Sequence, residues 1–346
     1  MSLPQPEDTL MFREAQEAAD RIADQLQRNA AAVEALGARL RSAPPRFIVT
    51  CARGSSDHAA TFAKYLFETE LGITTASASP SVSSVYEAAQ RLEGALFVAI
   101  SQSGKSPDLV SHARAAAAAG AHVVALVNQV ESPLAAAAHT VIPLLAGIER
   151  SVAATKSYLC SLSALLHIAA TWKGSDTLAQ ALHAVPSAMA RAWNADWSPL
   201  VEQLTGARNL FVLGRGLGLA AAQEAALKFK EATGLHAEAF SAAEVRHGPM
   251  ALVGADFPVL VFAQNDATLP GTLAVAREFR ERGATVLVAA PGDPPGTHLP
   301  LGGDVHPACA PLVTVRNFYR AANALALRRG HNPDLPPHLN KVTETV

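Results

Sequence analysis

The chain has few cysteines, little net charge and no long apolar run. The three cysteines among its 346 residues are far apart and odd in number, so they predict neither a disulfide framework nor a metal-ligand cluster. The formal net charge of −2 gives no general attraction to nucleic acid or to an anionic membrane. No apolar stretch reaches the roughly 18 residues that a membrane span requires.

Signals for export and for metal binding are missing as well. The first twenty residues are acidic and polar, without the apolar core of a signal peptide. The 12 histidines are scattered, and no HxxxH pair stands beside a carboxylate, so a zinc site is not expected. Because 49% of the residues are apolar and 17% are charged, the chain can bury a large core. We therefore expect a soluble cytoplasmic protein that uses neither a metal nor another cofactor.

What the chain has is a regular alternation of apolar strands and helices. Apolar positions at helical spacing between residues 8 and 40 predict one long amphipathic helix or a helical pair, which Pro44 and Pro45 end. Continuous apolar runs follow, of the kind found in parallel sheets. Their ranges are 46–51, 96–101, 122–128 and 141–146.

Three of these runs recur about 162 residues later, at 209–216, 258–266 and 284–292. This period is too long for a solenoid repeat, so two tandem α/β domains, each a doubly wound parallel sheet with flanking helices, explain it best. One large α/β domain with chance similarity is the alternative. The predicted divisions are an N-terminal helical region (1–45), a first domain (46–175), a helical linker (176–205), a second domain (206–330) and a C-terminal tail (331–346).

Two loops in the first half are rich in serine and follow strands directly, at residues 54–56 and 101–106. Ligands of open parallel sheets bind at the carboxyl ends of the strands, where hydroxyls and helix N-termini form anion sites. One such loop usually only caps a helix, but two after adjacent strands favour a phosphate site. The matching loop of the second half contains Asp266, which would repel phosphate. We therefore expect one phosphate site per chain, in the first domain.

The segment 224–249 concentrates acid–base groups. Glu224, Lys228 and Glu231 share one face of a predicted helix, and His247 precedes a Gly-Pro turn. Spacing alone favours a solvated ion-pair ladder with a structural histidine. The alternative is a proton-transfer set for sugar chemistry. The proline-rich tail is either disordered, or it packs over a site and delivers Lys341.

Several separated motifs together resemble the sugar isomerase (SIS) family, whose doubly wound α/β domains bind phosphosugars. In particular, the chain resembles the tandem-SIS isomerase half of the glucosamine-6-phosphate synthases, from about Arg46 to its end. The motifs are SQSGKSPD, ERSVAATKSY, LGRG, EAALKFKE, HAEAFSAAEVRHGP and HLNKVTETV.

The resemblance implies a role for each matching position. Glu231 would move a proton between C1 and C2, and Lys228 would support the developing enediol charge. His247 would open the sugar ring from a neighbouring subunit, which implies a homodimer. Lys341 would contact the open-chain sugar, and the backbone of Val152 would contact the sugar as well. The residues implied to hold the phosphate and nearby hydroxyls are Ser56, Ser101, Gln102, Ser103 and Ser106.

The chain also departs from the synthase pattern. Residue 2 is serine where the glutaminase domain carries its first cysteine, and only a short helical region precedes the first domain. The loop CARGSS replaces the shorter CGTS form. We therefore expect no glutamine hydrolysis, and the leading hypothesis is a glucosamine-6-phosphate deaminase that produces fructose 6-phosphate and ammonia.

Other functions stay open. The chain could be another phosphosugar isomerase, a deglycase, or a synthase-like isomerase that uses free ammonia or a separate glutaminase. Galactosamine 6-phosphate is an alternative substrate. A non-catalytic phosphosugar-binding regulator is disfavoured because no helix-turn-helix module is attached and Glu231, His247 and Lys341 are all present.

Overall fold

The computed structural model describes residues 4–341, which fall into two compact units. The first unit comprises Asp20–Glu149, Lys156–His183 and residues 340–341. The second unit comprises residues 4–19, Arg150–Thr155 and Ala184–Leu339. Within residues 4–341, no helix combines the length and apolar character needed to cross a membrane.

A five-stranded parallel sheet forms the centre of the first unit. Its strands are β1 (Phe47–Cys51), β2 (Thr75–Ser77), β3 (Ala95–Ser101), β4 (His122–Val127) and β5 (Thr140–Pro143). They are ordered β2-β1-β3-β4-β5, and Phe47 of β1 lies opposite Ala95 of β3. Every residue of β3 is buried because helices cover both faces of the sheet. The helices are α1 (Leu10–Ser42), which both units share, α2 (Ser55–Leu71), α3 (Ser81–Ser84), α4 (Pro107–Ala118), α5 (Pro133–Ala136) and α6 (Lys156–Lys173).

Successive side chains along β3 pack on opposite faces of the first sheet. Phe97 and Ala99 of β3 join Val123 of β4 and Leu109 of α4 in one apolar cluster. Leu96 and the other intervening residues point to the opposite face, because side chains along a strand alternate.

The second unit repeats this architecture. Its strands are β6 (Asn209–Gly214), β7 (His236–Ser241), β8 (Pro258–Phe262), β9 (Thr285–Ala289) and β10 (Thr297–His298). The order β7-β6-β8-β9-β10 is parallel and reproduces the connectivity of the first sheet. Its helices are α7 (Asp176–Ala192), which both units share, α8 (Ser198–Leu204), α9 (Leu217–Thr233), α10 (Leu269–Glu281) and α11 (Ala310–Arg328). The predicted tandem α/β architecture with two parallel sheets is confirmed.

The sequence predicted the central strands better than the edges. The N-terminal region is a single helix, α1, rather than a helical pair. The edge strand β7 was not predicted, because the exposed His236 and Glu238 interrupt its apolar positions. The cysteines Cys51, Cys160 and Cys309 are all unpaired and buried.

His122 and His167 make the stability of the fold depend on pH. Burial is the main cause that lowers the pKa of each to about 4. Both are neutral in the folded protein, whereas the unfolded chain takes up protons below their ordinary value of 6.5. Stability is therefore lost as the pH falls from about 6.5 to about 4. We expect each histidine to contribute about 1–2 kcal/mol to that loss, allowing for solvent screening.

Urea denaturation at pH 7.5 and at pH 4.5 measures this loss. His122→Gln and His167→Gln should each reduce it, whereas the exposed His236→Gln should leave it at the wild-type value. An acid sensitivity that neither the His122 nor the His167 substitution reduces would contradict the prediction.

Candidate active site

The first unit places both serine-rich loops at one edge of its sheet. The chain leaves β1 and β3, which are neighbours in the sheet, at their carboxyl ends and enters α2 and α4 respectively. The strand order reverses between β1 and β3, and such a switch point is where ligands of open α/β sheets bind. Ser56 in the first turn of α2 therefore lies at the same sheet edge as the 101–106 loop. Both helices direct their N-termini to this edge, which favours an anion.

The 101–106 loop is a tight turn held by its own side chains. Ser101 ends β3, and its buried Oγ accepts a hydrogen bond from the Gly104 amide at 3.0 Å. Ser103 Oγ accepts one from the Lys105 amide at 3.3 Å. Gly104 has φ of +64°, and a Cβ at this position would collide with the Ser132 side chain. Gln102, Ser103 and Ser106 are half-buried at the edge of the sheet.

An ion pair that the sequence did not reveal joins the two loops. Arg53, in the loop after β1, donates to the Oδ2 atom of Asp108 from Nε at 2.9 Å and from Nη2 at 2.8 Å. The Asp108 side chain is fully buried in the first turn of α4, while the Arg53 side chain is 49% exposed. The arginine of the unusual CARGSS loop was the sequence feature that could have indicated this ion pair. This pair connects the loop after β1 to the first turn of α4, and its two opposite charges largely cancel.

Lys341 is held by a buried carboxylate of the first unit. Its Nζ lies 3.0 Å from Glu149 Oε2, and the Glu149 side chain is completely buried. Glu149 also accepts hydrogen bonds from Ser157, from the amide at 3.1 Å and from Oγ at 2.7 Å. Glu149 belongs to the ERSVAATKSY motif, but its partners are distant in sequence and could not be predicted. Residues 342–346 of the predicted tail lie outside the described residues.

In the second unit, the ion-pair ladder that spacing alone favours is present, but it is buried rather than solvated. Lys228 and Glu224 on α9 have side chains that are 1% and 0% exposed, so the pair is buried. Lys228 Nζ lies 3.4 Å from Glu224 Oε1 and donates to Glu231 Oε2. Tyr319 of α11 donates from its hydroxyl to Glu224 at 2.8 Å. No sequence pattern pointed to Tyr319, which lies on a different helix.

The two carboxylates keep the Lys228 ammonium charged. Burial is the strongest single influence and opposes the charge, but Glu224 and Glu231 together outweigh it and raise the pKa of Lys228. The cluster thus contains one cation between two anions. Lys228 both orients Glu231 and holds positive charge at its carboxylate.

Glu231 is the member of this cluster that reaches solvent. Its side chain is 21% exposed and lines a pocket of about 370 Å³. The other lining residues are Leu227, Lys230, Gly234, His331, Pro337 and Leu339. A carboxylate that is oriented by a buried ammonium and open to a pocket is equipped to accept a proton from a bound ligand.

Val152 lies in the second unit, in a segment that hydrogen-bonds to the Glu14 side chain and to the Asp334 backbone. Its amide donates to the carbonyl oxygen of Asp334 at 3.3 Å, so a sugar contact from the Val152 backbone would use its carbonyl oxygen. The Asp334 carboxylate accepts hydrogen bonds at 2.8 Å from the first two amides of α1. Glu14 accepts from the amides of Arg150 and Ser151. None of these long-range contacts had a signal in the sequence.

His247 lies in the segment after β7 rather than on α9. It follows a single helical turn, Glu244–Arg246, and its side chain is exposed. The predicted site residues are therefore divided between the two units. The first unit holds Lys341 and the five residues Ser56, Ser101, Gln102, Ser103 and Ser106, and the second unit holds Val152, Lys228, Glu231 and His247.

Comparison with protein families finds two matching segments, one for each sheet. The model of the SIS domain matches residues 43–170 and 203–290, which together make up more than half of the chain. The chain belongs to the SIS family. The first matched segment contains the serine-rich loops, and the second contains α9 with Lys228 and Glu231.

SIS proteins of related sequence and structure include aminotransferases and isomerases. A glutamine–fructose-6-phosphate aminotransferase (isomerizing) of Aeropyrum pernix is 36% identical over 314 residues, which are 85% of this chain and 50% of that protein. The chain thus spans about half the length of the curated relatives it matches.

Two solved structures are similar over almost the whole chain. A candidate phosphosugar isomerase from Silicibacter pomeroyi DSS-3 is 42% identical with a TM-score of 0.89, covering 94% of this chain and all of that one. The C-terminal domain of glucosamine-fructose-6-phosphate aminotransferase from Francisella tularensis is 25% identical with a TM-score of 0.84, covering 95% and 98%.

Removing the buried ammonium of Lys228 should strongly destabilise the protein. Lys228→Met leaves the fully buried Glu224 carboxylate without its cation, and an uncompensated buried charge typically costs about 3–5 kcal/mol. Chemical denaturation followed by circular dichroism measures the loss. The double variant Lys228→Met/Glu224→Gln should recover part of it, because a neutral amide can still accept the Tyr319 hydroxyl. A denaturation midpoint of Lys228→Met equal to that of wild type would contradict the prediction.

Proposed function

We propose that this chain is a phosphosugar aldose–ketose isomerase that acts on an amino sugar, and specifically a glucosamine-6-phosphate deaminase that produces fructose 6-phosphate and ammonia. The observation that carries the proposal is the Glu231 carboxylate, which is oriented by buried Lys228 and opens to a pocket. The names of the A. pernix and F. tularensis relatives support the substrate class, since both include fructose 6-phosphate.

The serine-rich loops of the first unit would hold the phosphate group. Backbone amides and hydroxyls at two helix N-termini bind anions without a metal. The residues proposed for the phosphate and adjacent hydroxyls are Ser56, Ser101, Gln102, Ser103 and Ser106. Arg53, which Asp108 holds beside these loops, has a half-exposed side chain that can donate further hydrogen bonds to a bound phosphate. Fixing a substrate through its phosphate restricts the orientations of its reacting carbons.

Proton transfers carry out the proposed reaction. His247 moves a proton from the C1 hydroxyl to the ring oxygen, which opens the ring and leaves an aldehyde at C1. Glu231 removes the C2 proton while the aldehyde oxygen takes up a proton, and the product is an enolamine. Lys228 stabilises the negative charge that develops during this step. Positioned acid–base groups of this kind are typically worth about 10²- to 10⁴-fold in rate.

The second half of the reaction releases ammonia. Glu231 returns its proton to C1 while the nitrogen at C2 loses one, which converts the enolamine into a ketose imine. Water then adds to C2, and ammonia leaves, so that fructose 6-phosphate remains. Lys341 and the carbonyl oxygen of Val152 are proposed to contact the open-chain sugar. His247 is proposed to act in the site of a second copy of the chain, as the family resemblance implies, and its exposed side chain is accessible to such a copy.

Glucosamine 6-phosphate is the substrate that tests the proposal. The wild-type chain should release ammonia and fructose 6-phosphate in equal amounts, measured by coupled assays. Glu231→Gln removes the base and should lower kcat by about 10²- to 10⁴-fold. Glu281→Gln, an exposed carboxylate on α10, is the matched control and should keep the wild-type rate.

Each part of the proposal can fail separately. Absence of product from wild type would reject the deaminase, and equal rates for Glu231→Gln and wild type would reject the base. Mixing Glu231→Gln with His247→Ala protein should regain activity if a dimer shares its sites, and no regain would reject the shared site.

A substrate panel separates the related activities. Galactosamine 6-phosphate, N-acylated derivatives and sugar–amino-acid conjugates report the epimer, the N-substituent and deglycase activity. Fructose 6-phosphate with free ammonia reports the synthetic direction. Tight sugar-phosphate binding without turnover of any compound would identify a regulator instead.

Gly104→Ala should weaken sugar-phosphate binding without unfolding the protein. Gly104 requires positive φ, and an added Cβ collides with Ser132, so the 101–106 turn must change shape. We expect Kd for glucosamine 6-phosphate, measured by calorimetry, to rise at least about tenfold, the effect of losing a charge-assisted hydrogen bond or more. Gly206→Ala, where an added Cβ has no neighbour within 4 Å, is the control and should bind normally. Unchanged affinity of Gly104→Ala would place the phosphate elsewhere.

A further inference from the structure

The pocket of about 370 Å³ beside Glu231 contains a histidine that has no role in the reaction described above. His331 lines this pocket in the second unit, together with Lys230 and Glu231. These three are the ionisable residues of its described lining. The remaining lining residues are Leu227, Gly234, Pro337 and Leu339, which are apolar or lack a side chain. The Glu231 carboxylate therefore shares its pocket with an imidazole.

The end of helix α9 places the His331 ring close to the turn that carries Glu231. Gly234 caps α9 in the left-handed region, with φ of +63°, three residues after Glu231. A Cβ at Gly234 would lie 2.9 Å from Cε1 and 3.0 Å from Nε2 of His331. The absence of a side chain at Gly234 thus leaves room for the imidazole. Because residues three apart on a helix are neighbours, the ring lies against the last turn of α9, to which Glu231 belongs.

The backbone of His331 is fixed, whereas its ring has no polar partner in residues 4–341. The amide donates to the Ala326 carbonyl oxygen at 2.9 Å, just beyond the end of α11. None of the described residues forms a hydrogen bond or ion pair with the imidazole. The side chain is half-buried, and neither ring nitrogen is sealed from solvent. The ring nitrogens are therefore accessible to a ligand in the pocket.

The proposed reaction requires a second acid–base group besides Glu231. Glu231 serves the two carbons, but the oxygen on C1 must gain a proton and the nitrogen on C2 must later lose one. Lys228 is 1% exposed and held by two carboxylates, so it is not free to make these transfers. A lysine ammonium such as that of Lys230 releases its proton only at alkaline pH, whereas imidazole donates and accepts protons near neutrality. Among the described lining residues, His331 alone fits both steps.

We propose that His331 exchanges protons with the C1 oxygen and the C2 nitrogen of the open-chain sugar, a role that rests on the function proposed above. In the first step, the imidazolium protonates the C1 oxygen while Glu231 removes the C2 proton, and the C–H electron pair forms the C1–C2 double bond. In the second step, the neutral imidazole removes a proton from the nitrogen while Glu231 returns its proton to C1, and a C2–N double bond forms. Both residues regain their starting protonation before water releases ammonia.

The chemistry of the intermediate is consistent with a single imidazole in both steps. The oxygen and the nitrogen are bonded to adjacent carbons, so one group placed beside them serves each in turn. Glu231 likewise serves the two adjacent carbons in turn. The two residues thus divide the proton transfers between carbon on the one hand and oxygen or nitrogen on the other.

Variants of His331 assayed with glucosamine 6-phosphate test this role. His331→Ala should lower kcat by about 10²- to 10⁴-fold with little change in KM, because proton transfer rather than binding is lost. His331→Gln should also be slow, because an amide forms hydrogen bonds but does not exchange protons in this way. His236→Ala, which removes an exposed histidine on β7, is the matched control and should keep the wild-type rate. Melting curves followed by circular dichroism verify that each variant is folded.

Added imidazole separates proton transfer from a purely structural role. In His331→Ala, imidazole should restore activity in proportion to its concentration, and a series of substituted imidazoles should give rates that follow their pKa values. A histidine that only supports the pocket would show no such dependence. His236→Ala should not respond to any of these compounds.

The outcomes distinguish this role from the proposed function itself. Wild-type protein that releases no ammonia would reject the deaminase and the role of His331 with it. If wild type is active, a His331→Ala variant of equal rate, or a slow one that no imidazole accelerates, would reject His331 alone and leave Glu231 as the base.

Discussion

The buried ammonium of Lys228 is the constraint on which the acid–base half of the molecule depends. A charge that is removed from water must be neutralised nearby, and here Glu224 and Glu231 neutralise it. This requirement fixes two further side chains: Tyr319, which donates to Glu224, and Glu231, which keeps one side open to a pocket. Helix α9 is thereby joined to helix α11 through polar contacts inside an otherwise apolar core. The ion pairs that neutralise Lys228 inside the core therefore also orient the Glu231 carboxylate, which lines the pocket.

Two sheets of identical connectivity carry different chemistry. In the first unit, small hydroxyl residues and a positive-φ glycine follow β3, and Arg53 is held beside them by Asp108. At the equivalent place in the second unit, β8 leads to Gln264 and Asp266, which hydrogen-bond to each other and to neighbouring loop atoms. A carboxylate in that loop disfavours phosphate, whereas the first loop favours it. The two sheets have the same topology, but the two units are proposed to have different roles: phosphate binding in the first and proton transfer in the second.

The sequence was informative wherever a property is local. Continuous apolar runs predicted β1, β3, β4, β6, β8 and β9, because strands buried on both faces need apolar residues throughout. The edge strand β7 was missed because its half-exposed alternation contains His236 and Glu238. Spacing placed Glu224, Lys228 and Glu231 on one face correctly, but spacing carries no information about burial, so the solvated ladder was the wrong interpretation. Contacts such as Glu149 with Lys341 are set by the tertiary fold, and no local pattern encodes them.

The three buried cysteines should be unreactive in the folded protein. Burial raises the pKa of Cys51 and of Cys309 to about 12 and also raises that of Cys160, so almost no thiolate exists at neutral pH. Thiolates, rather than neutral thiols, attack alkylating reagents and hydrogen peroxide. The folded protein should therefore resist both, and a cysteine introduced on its surface will react alone. Spectroscopic labels can then be attached at chosen positions while every native cysteine is kept.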